Sequence, residues 1–184
     1  MKVQIDELTT PIVSPAVVIS VGEWDQANLL TLAWVARVVS EPPIMSISIR
    51  PSRHSFSLIE KLGEYVINVP STENIQNVDF CGTRTGKKVN KWEELKLTKE
   101  KGLKVRVPLI KEFPINIECK VIDKLKHGTH SIYFGEVLAV HVNEELLKDG
   151  KLDPSKQNQI VYIARNYYKL IKEPLERQGF SLKP

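Results

Sequence analysis

Four short stretches carry most of the side chains able to do chemistry. In "RPSRHSFSLIEKLG", Arg50, Arg53 and His54 crowd the start of an expected helix, with Ser52 or Ser55 placed to cap it. Free N–H groups at a helix start attract anions, and guanidinium groups add forked donors that match phosphate oxygens. "CGTRTGKKVNKW" is a basic, Gly-hinged loop that offers Arg84, Thr85, Lys87 and Lys91 as phosphate donors. It is not a nucleoside-triphosphatase loop, because only three residues separate its glycines and Lys88 follows Lys87 where Ser or Thr is needed. In "HGTHSIYFGEV", His130 follows a turn at Gly128 and precedes a strand, a place from which imidazole can bond a ligand or pass a proton. "ANLLTLAW" reads as core, yet it carries an amide, a hydroxyl and an indole N–H at Asn28, Thr31 and Trp34. Each must find a partner if buried. Every stretch also has a plain reading: a capped helix with solvated arginines, a surface loop, a histidine with a structural partner, a barrel wall.

No Ser–His–Asp spacing, HExxH helix or Cys/His metal cluster is present. No GxGxxG joins a strand to a helix, which argues against a Rossmann nucleotide domain. Difficult chemistry on this chain therefore belongs to a bound organic cofactor. The formal net charge of +4 favours anionic partners without choosing among them. Cys81 and Cys119 lie far apart with no metal-type spacing, which points to two thiols in a reducing, cytoplasmic setting. No long apolar run predicts a membrane span, and "MKVQIDELTTPIVSP" lacks the pattern of a signal peptide.

Strands must position these groups. "IMSISIR", from Met45 onward, and "INIECKV" alternate between apolar and polar residues, and "PAVVISV", "EYVINV" and "SIYFGEVLAVHV" are further β-rich runs. Gly135 inside the last run predicts a bulge or a close backbone approach. Helices are expected in "SRHSFSLIEKLG", stopping at Gly63, in "STENIQNVDFCG" and in "GKKVNKWEEL". "PSKQNQIVYIARNYYKL" reads as a strand followed by a short helix, and "ANLLTLAW" fits strand or helix. The expectation is one mainly β domain over residues 1–184: an antiparallel barrel with short helical insertions and a less regular tail from about residue 174.

Taken in order, "NLLTLAW", "SEPPIMSISIRPSRHS", "GEYVINVP", "FCGTRTGKKVNKW" and "HGTHSIYFGEV" resemble the flavin reductase-like family, in particular its flavoredoxin-type branch. The resemblance covers roughly residues 10 to 145. It implies a split β-barrel of Greek-key type that binds FMN and forms a homodimer with flavin near the subunit interface. It also implies electron transfer, with NADH or NADPH as donor and a redox partner protein as one type of acceptor. By position, Asn28, Leu30, Thr31, Ala33 and Trp34 match the family's segment beside the flavin. Arg50, Pro51, Arg53, His54 and Ser55 match the strand-to-helix turn near the phosphate or ribityl chain. Thr85, Gly86, Lys87 and Lys91 match the loop that approaches the phosphate, and His130 matches the histidine next to the last long strand, the candidate catalytic residue. The chain departs from the pattern at Thr85 (usually Ser), Asn90 (usually Asp) and Thr129 (usually Asp). Two rivals stand beside NAD(P)H-dependent flavin reduction: a non-enzymatic electron carrier, and a basic barrel that binds single-stranded nucleic acid by stacking. The second is disfavoured because aromatic residues make up only 7% of the chain.

Overall fold

In a computed structural model of the chain, residues 1–6, 11–170, 173–176 and 178–182 are described. The strands are β1 (Ser14–Pro15), β2 (Val17–Val21), β3 (Asn28–Leu32), β4 (Val35–Val39), β5 (Ile44–Ile49), β6 (Glu64–Val69), β7 (Lys99–Glu100), β8 (Leu109–Ile110), β9 (Ile115–His127), β10 (His130–Val142), β11 (Leu147–Lys148), β12 (Lys151–Leu152), β13 (Ile160–Ile163) and β14 (Asn166–Lys169). Among the described residues three α-helices interrupt them: α1 (His54–Leu62), α2 (Ile75–Thr83) and α3 (Lys91–Glu94).

Seven strands form one antiparallel sheet in the order β3-β2-β6-β9-β10-β5-β4. Laid flat, that order would part its two edge strands by six spacings of about 4.8 Å, roughly 29 Å. Yet only Ala33 and Trp34 separate β3 from β4 in sequence, a link that reaches about 11 Å at most. The sheet must therefore coil until its edges meet, and the unpaired seam between β3 and β4 is the split of a split barrel. Trp34 sits in this seam, its carbonyl accepting from Ser48 N at 3.1 Å.

The barrel interior is filled by Val17, Ile19, Val21, Leu30, Ile47, Ile49, Tyr65, Ile67 and Tyr133, with Ile59 of α1 packed among them. The opposite face of β2 and β3 is covered too, by Val78 and Cys81 of α2, Trp92 of α3 and Ile160 of β13. Burial on both faces explains why "VVISV" shows no alternation: all five residues are buried. Gly135 lies at a register shift in the β9–β10 ladder, and a β-carbon there would enter the Tyr65 ring. Small size is required at that position, as its place in the strand predicts.

Several local expectations are corrected. α1 begins at His54, and its N-cap is Arg53, without a side-chain cap. Ser52 and Ser55 therefore do not cap it; Ser55 lies inside the helix, buried, where it accepts a bond from Asn28. The helix expected in "GKKVNKWEEL" shrinks to Lys91–Glu94, because Asn90 caps Trp92 N and starts it late. After β13 comes a second strand, β14, not the expected short helix: Tyr162 pairs with Tyr167 across the hairpin. This hairpin and β1 form a separate small sheet. Cys81 and Cys119 are both buried free thiols, in different core clusters, and burial pushes each up to about 12. No helix among the described residues is long and apolar enough to cross a membrane.

Candidate functional site

The seam that closes the barrel also opens a groove of about 500 Å³. Leu30, Thr31, Ala33 and Trp34 line it from the end of β3 onward, Arg50 and Arg53 from the turn after β5, and His130 from the start of β10. Seven of the residues singled out from sequence thus meet in one place. Thr31 and Trp34 share the groove although strand alternation alone would separate them, because the chain leaves the sheet at Ala33.

Several of the polar groups are already oriented by the protein. Thr31 Oγ1 donates to the Val78 carbonyl of α2 at 2.5 Å, so toward a ligand its hydroxyl offers an acceptor. Asn28 is buried and its Nδ2 donates to Ser55 Oγ at 2.8 Å. Neighbouring elements thus already supply partners for the Asn28 amide and the Thr31 hydroxyl. Trp34 is 56% exposed, and its ring lies 4.7 Å from that of His130. Arg50 Nε donates to His130 Nε2 at 3.2 Å, which assigns the imidazole proton to Nδ1, 2.9 Å from Thr129 Oγ1. Partial desolvation, reinforced by the Arg50 charge, holds His130 below its ordinary value. The imidazole is neutral near pH 7 with both nitrogens engaged, an arrangement that orients Arg50.

A second groove, about 420 Å³, holds Asn28, His54, Gly86, Lys87 and Lys91 together with Lys88 and Lys99. Gly86 is required by contact: a β-carbon there would enter the Asn28 side chain and stand 2.8 Å from His54 Cδ2. Lys91 is 2% exposed, and its Nζ donates to the carbonyls of Leu29 and Cys81, each at 2.7 Å. Burial lowers its pKa, the nearby Cys81 opposes that shift, and the Arg53 charge adds to it. The ammonium ties β3 to α2 and has one N–H left. Thr85, Pro51 and Ser55 line neither groove. Thr85 shapes the loop instead, its carbonyl accepting from Lys88 N at 3.1 Å. Arg84 turns away over the Phe80 ring, 5.9 Å from its centre.

Sequence reasoning missed Tyr162, Arg165 and Tyr167, which line the first groove from the β13–β14 hairpin. The missing signal is the turn. An Asn-Gly pair would have announced a hairpin, and "IARN" does not. The groove's lining contains three arginines and no Asp or Glu. No carboxylate among the described residues forms an ion pair with any of these arginines.

The flavin reductase like domain model matches residues 9–170. An uncharacterised protein of Archaeoglobus fulgidus is 39% identical over 129 residues, which is 70% of this chain and 72% of that protein. An NADH-dependent FMN reductase of Streptomyces nodosus subsp. asukaensis is 23% identical over 127 residues, 69% of this chain and 68% of that protein. Among solved structures, the flavoredoxin of Desulfovibrio vulgaris (Miyazaki F) superposes with a TM-score of 0.92 over 100% of both chains at 28% identity. With the domain model spanning most of its length and the barrel shared throughout, the chain belongs to the flavin reductase-like family.

Proposed function

We propose that this chain binds FMN in the seam groove and serves NAD(P)H-dependent flavin reduction or electron transfer through the bound flavin. One observation carries the reading. A groove of about 500 Å³ combines flat aromatic and apolar walls with Arg53 at the start of α1, and its lining contains no carboxylate. That volume suits a cofactor, and the donor set suits a planar ring bearing a phosphate.

Bound FMN supplies one- and two-electron redox chemistry. The protein's own part is binding and orientation. Leu30 and the Trp34 indole offer apolar contact. The N–H groups of Ala33 and Trp34 have no acceptor among the described residues, so they are free to donate to a carbonyl edge, while Thr31 accepts. Arg53, beside the uncapped start of α1, neutralises phosphate with help from Lys87. Lys91 holds the wall behind them. His130 fixes the Arg50 guanidinium and does not act as a free base.

Full-length similarity to a flavoredoxin supports a second reading, tight FMN retention as an electron carrier. A homodimer completes the proposal. Its support is the edge strand β4, which leaves Val38 and Val39 exposed beside Trp34. The deciding experiment records the spectrum of purified protein, extracts any flavin and mixes NADH or NADPH with it anaerobically in a stopped-flow instrument. Bleaching by either nucleotide supports the reductase, and yellow protein inert to both supports the carrier. Colourless protein with no FMN-induced thermal shift overturns both.

A further inference from the structure

The β13–β14 hairpin closes through Ala164 and Arg165, and both have positive φ, 46° and 68°. Two-residue turns of this hand favour Asn, Asp and Gly, because a β-carbon at positive φ crowds the backbone. The tip persists because the hairpin's base is clamped. Ile160 is buried in the core, its carbonyl accepts from Ala16 N at 3.1 Å, and Tyr162 packs on Tyr167 at 5.6 Å. The strained tip brings Arg165 to the lining of the seam groove, on an element separate from those bearing Arg50 and Arg53. Arg165 has no acceptor among the described residues, so no fold contact explains it. A single phosphate monoester does not account for three arginines and an adjoining lysine cluster.

We propose that Arg165, with Arg50, forms a second anion subsite in this groove, one that takes the pyrophosphate of a nicotinamide dinucleotide. The inference rests on the flavin reading for its role in the reaction, but the subsite itself needs no flavin. Guanidinium forks suit paired phosphate oxygens. Tyr162, Tyr167 and Trp34 supply flat surfaces beside them for a base.

The test uses ADP-ribose, which carries the pyrophosphate but no reducible ring, titrated calorimetrically into the full chain with and without FMN. The wild-type chain is expected to bind it in a salt-dependent way. Arg165→Gln should weaken ADP-ribose about tenfold or more while FMN affinity, read by fluorescence quenching, moves less than about twofold. Lys151→Gln, an exposed charge outside both grooves, should leave ADP-ribose binding unchanged. Arg165→Gly separates function from fold: relief of the turn should raise Tm while the affinity falls, whereas a structural Arg165 gives lower Tm and unchanged binding. The proposal is overturned if the wild-type chain does not bind ADP-ribose, if Arg165→Gln binds it equally well, or if FMN affinity falls in step. Arg165-dependent binding of ADP-ribose by a protein that takes no FMN would sink the flavin reading and leave the subsite standing.

Discussion

Thr31 shows how a side chain can line a site and still belong to the scaffold. Its hydroxyl proton is committed to the Val78 carbonyl, so Thr31→Val deletes a fold contact before it deletes a ligand contact. Urea denaturation should show a loss of about 1 kcal/mol. FMN affinity should change by less than about threefold, because only a weak acceptor is lost. Gly86 makes the opposite case. Gly86→Ala drives a methyl group into Asn28 and toward His54, which should cost about 1–3 kcal/mol and weaken FMN measurably in a fluorescence titration. Glycine 86 was legible as a loop hinge; that its hydrogen atoms face two side chains from other elements was not.

At the scale of elements, Glu118 of β9 deserves its own experiment. Its carboxylate is fully buried and accepts from the backbone N–H groups of Leu103, Lys104 and Val105 at 2.7–2.8 Å, with His141 Nε2 at 2.5 Å. Burial alone would raise its pKa, but the bonds from His141 and the three N–H groups outweigh it and the pKa is lowered. A carboxylate whose folded pKa lies below its unfolded value contributes stability above about pH 4.3 and loses it as pH falls through the folded pKa. Tm of the wild-type chain should therefore drop on acidification below that point. Glu118→Gln should start about 2–3 kcal/mol less stable and show a flatter acid limb. Sequence placed Glu118 on the polar face of an alternating strand, where an exposed side chain is the ordinary outcome. The loop 101–107 folds over that face and buries it, which no local period encodes. β14 makes the same point: a short helix is expected there from sequence, but pairing with β13 decides the backbone.

Across the whole molecule, the site exists because a seven-stranded sheet is forced shut by a two-residue link. A ligand bound at that seam stabilises the closed barrel by mass action. FMN at a hundred times its Kd should add about 2.7 kcal/mol, or about 5–10 °C in Tm for a chain of this size, measured by scanning fluorimetry. The exposed edge strand beside the seam yields a further expectation. Val38→Glu should shift the chain toward monomer in analytical ultracentrifugation and weaken FMN, whereas an unchanged sedimentation coefficient would remove β4 from the dimer face.

Local chemistry settled much of this protein from its sequence. Period-two alternation marked β5 and β9, and Gly63 stopped α1 in a left-handed conformation with φ 68°. The residues from Asn28 to Trp34 and from Arg50 to Ser55 stood out because polar groups interrupted apolar or helix-starting runs. These signals are short-range, set by backbone sterics and by which face of an element meets water. The tertiary structure alone decided that Lys91 points inward to two carbonyls, that His130 is spent on Arg50, and that Arg165 joins Trp34 across most of the chain's length. Those outcomes depend on barrel closure and on the docking of a distant hairpin, and contacts between residues so far apart leave no period in the sequence to read.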